Sequence, residues 1–143
     1  MSFVYTGEKT RRMTGAYSYA SGDMRVKLLL NTTTADTDQD ASVLSDITTL
    51  GEVTDGSYTE KVLANEAVNQ DNANNRAEFD ADDVTWAALT TAGTVQGVLL
   101  YRYVDGTAAN DMVVAFIDSG GFPVSISGGT LTITWNAEGI LQI

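Results

Sequence analysis

The side chains that could do chemistry in this chain are almost all carboxylates. It has 19 Asp and Glu residues against 8 Lys and Arg, and neither His nor Cys. The lack of Cys removes thiol nucleophiles, disulfides and thiolate metal sites. The lack of His removes the usual general base, the Ser-His-Asp arrangement and nearly every zinc or non-haem iron site. Two acidic clusters remain to be weighed. Asp36, Asp38 and Asp40 alternate as in a calcium loop, but Ala41 and Ile47 stand where an EF-hand needs Gly and a bidentate Glu. A solvated acidic loop is the preferred reading there, with an irregular cation site as the alternative. Asp80, Asp82 and Asp83 could offer a carboxylate pair for glycoside hydrolysis. Nothing in the sequence marks a cleft beside them, and a tight turn whose carboxylates bond their own backbone is the plainer reading. Trp86 and Trp135 lie in phase with apolar neighbours, as core anchors rather than a sugar platform. The expectation is a protein that is not an enzyme and carries no cofactor.

The elements that would hold these residues are strands. Val26, Leu28 and Leu30 share one face of a first strand over residues 24–31. Phe79 lies on a later one. Residues 94–104 and 111–118 are apolar on both faces and therefore central. Leu131, Ile133 and Trp135 alternate with threonines, which predicts a final strand region with Ile140, Leu141 and Ile143 buried in the sheet or at a subunit contact. Gly-rich turns separate the runs, Pro123 marks a strand start or edge, and helix is confined to one or two turns near residues 42–50. The fold class expected is all-β, a β-sandwich of which the jelly roll is one form, over residues 23–143. Its core should include Val26, Leu28, Leu30, Phe79, Trp86, Leu99, Tyr101, Val114, Phe116, Leu131, Ile133 and Trp135.

Residues 1–22 read differently, as an extended N-terminal arm with no clear period. The net charge of the chain is −11. In residues 1–27, five basic residues against two acids leave +3, while three basic residues against 17 acids leave the remainder at −14. So acidic a body repels phosphate and is a poor nucleic-acid binder. No apolar run approaches the roughly 20 residues of a membrane-spanning helix, and the first residues lack a signal peptide's basic start and apolar centre. A cytoplasmic origin is expected. The arm is the candidate partner-binding element, with Phe3, Tyr5, Tyr17 and Tyr19 supplying contact area and Lys9, Arg11 and Arg12 facing an acidic surface.

Four segments then carry a resemblance: Phe79-Asp-Ala-Asp-Asp-Val-Thr-Trp86, Val98-Leu-Leu-Tyr101, Phe116-Ile-Asp-Ser-Gly-Gly-Phe-Pro-Val124 and Thr132-Ile-Thr-Trp-Asn-Ala-Glu-Gly-Ile-Leu141. Over about residues 43–143 the chain resembles small virion proteins of tailed bacteriophages. The resemblance implies a structural role, foremost a capsid decoration or cement protein. Such a protein is made in the host cytoplasm, sits on the head shell against the major capsid protein, and forms a homotrimer. A small tail, neck or fibre component is the rival in that class, and a carbohydrate- or host-binding module the rival outside it.

Overall fold

In the computed structural model, residues 2–90 and 92–143 are described. The fold is all-β, built from several antiparallel sheets with one α-helix among the described residues. The largest sheet runs in the order β1 (Phe3–Val4), β8 (Met112–Ile117), β7 (Gly93–Tyr103), β2 (Asp23–Leu30), β3 (Lys61–Val62). β9 (Val124–Ile126), which Pro123 immediately precedes, pairs with the start of β7. Val95 of β7 pairs with both Leu30 and Val124, so β9 extends the β8 edge rather than the β2 edge.

The two faces of this sheet are both buried, and the period-2 pattern of β7 shows how. Val98 and Leu100 enter one apolar cluster, while Leu99 and Tyr101 enter the other. The alternation breaks in β8, where Val114 and Ala115 both join the first cluster. There the pairing passes from Leu100↔Ala115 to Tyr101↔Val113, so Val114 is the extra residue of a bulge that re-aims its neighbours.

The first cluster is covered by two short sheets, β4 (Ala67–Asp71) with β5 (Arg76–Asp80) and β11 (Leu141–Gln142), and β6 (Val84–Trp86) with β10 (Leu131–Ile133). β5 and β6 follow one another along the chain. Ile133↔Val84 pairing in one sheet and Leu141↔Phe79 pairing in the other mean that residues 131–143 run antiparallel to residues 76–86. The two short sheets therefore form one interrupted layer. Of the expected core, eight residues are buried, but Leu30, Leu131, Ile133 and Trp135 are half-buried at its margin. Leu141 is buried and Ile140 half-buried. Ile143 is not buried in the sheet: the residue is 68% exposed although its backbone pairs with Ala77.

The second cluster is covered by the loop of residues 31–50 and by the N-terminal segment, which corrects the reading of an extended arm. Phe3 and Val4 pair with Phe116 and Ala115, and Tyr5 is fully buried with its hydroxyl donating to the Ala35 carbonyl. An α-helix, α1, spans Thr6–Thr14. Its sequence is almost wholly polar and shows no apolar stripe, so the 3.6-residue period is missing. Gly15, at φ 65°, closes α1: its N–H donates to Arg12 and that of Ala16 to Arg11, the paired bonds of a Schellman stop. A 3₁₀ turn at Leu44–Asp46 lies within the helical region expected near residues 42–50.

Candidate functional site

Among the expected partner-binding residues, most meet each other around Glu8, whose side chain is 1% exposed. Arg11 Nε donates to Glu8 Oε2 at 3.0 Å, Arg12 Nε lies 3.4 Å from Oε1, and the hydroxyls of Tyr17 and Tyr19 donate to the same carboxylate. Arg11 also donates to the carbonyls of Ser42 and Val113, the latter at 2.6 Å, which fastens α1 to β8. Burial, then hydrogen bonding to Glu8, drives both tyrosine pKa values well above the ordinary phenol range. Arg12 lies over Tyr19 and Arg102 over Tyr17. Tyr5 is in the core, Phe3 packs edge-on against it at 5.0 Å, and Lys9 alone of these residues is exposed. The structure joins the segment to its own body through the side chains expected to dock it elsewhere. Glu8 is the residue that sequence reasoning missed. Its only signal was the pair of arginines three and four positions on.

Several carboxylates of the acidic clusters are also committed locally, although one Asp80 oxygen is buried without a hydrogen-bond partner among the described residues. Asp38 accepts from Thr34 Oγ1 and from the Thr48 N–H, both at 2.7 Å, and these bonds hold it below the usual carboxylate range. Among the described residues, no group of three carboxylates is placed to hold a metal ion. Asp82 and Asp83 do not bond their own backbone as expected. Asp82 accepts from Asn65 through its side chain and from the Trp135 indole through its carbonyl, while Asp83 accepts from the Trp135 backbone N–H. These contacts reach Asn65 and the segment just after β10, because residues 81–83 bridge the break between β5 and β6.

A second polar centre was not foreseen. Glu60 accepts from Arg25 at 2.7 Å and from both Lys27 and Tyr101 at 2.5 Å, and Lys27 also reaches Glu52 at 3.1 Å. Tyr58 donates to Glu52 and accepts from the Leu28 N–H, which ties the 52–60 segment along β2. Burial pushes Glu60 upward, but the donors Lys27, Tyr101 and Arg25 together outweigh it and hold its pKa at about 2. A hollow of about 340 Å³ opens beside Lys27, Glu60 and Tyr101. A carboxylate this acidic stays ionised, so it is no general acid, and its charge already faces Arg25 and Lys27.

A hollow of about 560 Å³ forms a groove elsewhere, between the β8–β9 connection and the β10–β11 strand path. Its walls include Phe122 and Trp135 with Thr132, Thr134, Asn136 and Gln142, and no lining side chain is charged. Trp135 was read as a core anchor; it does pack on the core, but it also faces this groove. Comparison of the chain with protein-family models, with curated proteins and with solved structures finds no match.

Proposed function

We propose that this protein is a structural component of a bacteriophage virion, a decoration protein that binds the head shell as a homotrimer and is not an enzyme. The sequence resemblance supports the class, and a β-sandwich, with the interrupted layer as its second sheet, is the architecture proposed with it. The observation that carries the assembly role is an apolar strip on the sheet of β4, β5 and β11. Val68, Phe79 and Leu141 form one cross-strand row, and Ala77 and Ile143 pair in the next, so all five share a face. Phe79 and Leu141 are covered, but Val68 is 50% and Ile143 68% exposed. The two exposed side chains flank the covered row and offer apolar area for a contact on either side of it. Meanwhile the ionisable groups of both polar centres are spent on one another, which favours a rigid scaffold over a reacting site. Contact with another copy, or with the major capsid protein, would cover the strip.

The test is copy number on purified particles, with binding of the full chain to undecorated shells. Hundreds of copies per virion are expected. A dozen or fewer would assign the protein to the tail or neck instead.

A further inference from the structure

The groove at Trp135 has a geometry that specifies its occupant. Residues Leu131 to Asn136 line it without a gap. In a strand, Leu131, Ile133 and Trp135 point to one face and Thr132 and Thr134 to the other. The first three pack on the core, and the two threonines are exposed. A hollow touching all of them runs along the strand's edge rather than over either face. That edge is unpaired: β10 bonds β6 alone, and no main-chain partner reaches its other side among the described residues. Ile140 and Gln142, on the β11 part of the same path, continue the wall. β11 likewise pairs only with β5.

We propose that this groove is a strand-addition site that takes an extended segment of another polypeptide, paired to the free edge of β10. An open edge presents N–H and C=O groups in a row, at about 3.3 Å per residue. Another strand satisfies the whole row, whereas a saccharide's scattered hydroxyls meet only a few of its members. The three residues of β10 offer an edge of about 10 Å for pairing, and the groove continues beyond them along residues 134–136. The lining sets the side-chain chemistry. It carries no charge in a chain where 19% of residues are charged, so the inserted residues are uncharged. Phe122 and Trp135 give an apolar floor for alternate side chains. Beyond residue 27 the body carries −14, so basic residues flank the inserted stretch. The proposal holds whether or not the protein sits on a capsid.

The experiment selects binders from a random 12-residue peptide library on the immobilised full chain. The enriched peptides are then titrated into the ¹⁵N-labelled protein. Expected are sequences with four or five uncharged residues beside Lys or Arg, and resonance shifts confined to residues 117–124 and 131–142. Methylating alternate peptide nitrogens on the edge that faces β10 should weaken binding at least tenfold. So should Thr134→Lys, which puts a charge into the groove from an exposed position and should leave the melting temperature unchanged. Enrichment of no peptide, shifts elsewhere, or indifference to N-methylation overturns the proposal. So does binding of maltohexaose or chitotetraose at these residues without peptide binding, which would make the groove a saccharide site.

Discussion

Two arginines and two tyrosines converge on the Glu8 carboxylate, and removing it leaves two guanidinium groups without their counter-charge where water has little access. The side chains of Arg11 and Arg12 are each only 14% exposed. Breaking a buried pair from one side costs about 3–5 kcal/mol, because the surviving charge loses its partner without regaining its hydration. Glu8→Ala should therefore lower the melting temperature by roughly 10 °C or more for a chain of this size, read by calorimetry. Glu8→Gln, which keeps an acceptor for the tyrosines, should lose less. Glu60 makes a different prediction, in pH. Its pKa is depressed in the fold to about 2 from an ordinary 4.5. Its contribution is present in full above the ordinary value and is lost as pH falls from about 5 towards 2. Stability should decline through that window, and Glu60→Gln should flatten the decline while lowering stability at pH 7. An unchanged acid profile in the variant would remove Glu60 from the account.

At the scale of elements, α1 is held by an approach that only glycine permits. A Cβ on Gly7 would sit 2.6 Å from the Ser42 Cα, a distance at which backbone must move. Gly→Ala in an isolated helix gains up to about 1 kcal/mol, but wedging α1 off its contact costs about 1–3 kcal/mol. The wedge should win, and Gly7→Ala should destabilise the protein in thermal melts. Deleting residues 2–22 should do more. It removes the buried Tyr5, the β1 pairing and the lid over Leu99 and Phe116, so the remaining body should melt at a markedly lower temperature or fail to fold. A truncated chain that melts like the full one would restore the picture of a separate arm.

These elements also show where the sequence is legible. β7 and β8 declare themselves because burial on both faces leaves long apolar runs, β2 because Val26, Leu28 and Leu30 alternate on one face, and Trp86 and Phe79 fall in phase. Nothing local distinguishes α1, since ion pairs and a glycine contact replace the apolar stripe by which a docked helix is recognised. The groove is equally silent. Thr132 and Thr134 read as the solvent face of a strand, and only the tertiary pairing shows that the edge between the faces is open. The Glu60 network joins residues 25, 27, 52, 58 and 101, whose proximity is a property of strand order rather than of spacing.

For the whole molecule, charge decides which associations are favoured and how they respond to salt. The basic excess of residues 1–27 is largely spent internally, Arg11 and Arg12 on Glu8, Arg25 on Asp23 and Glu60, and Lys27 on Glu52 and Glu60. What approaches another molecule is an acidic body of net charge −11. Two such bodies repel, and the repulsion reaches about a Debye length, roughly 10 Å at 0.1 M salt. Association of copies through Val68 and Ile143 is driven by apolar burial and opposed by that repulsion. Raising salt from about 0.05 to 0.5 M, where screening is strong, should therefore strengthen it. Capture of a basic-flanked strand at β10 should respond oppositely and weaken. Light scattering coupled to size exclusion reads the first and titration of the selected peptide the second. Val68→Lys with Ile143→Lys should abolish self-association and leave peptide capture intact, since neither residue lines the groove. Self-association that weakens with salt, or survives both substitutions, would place the contact between copies on another face.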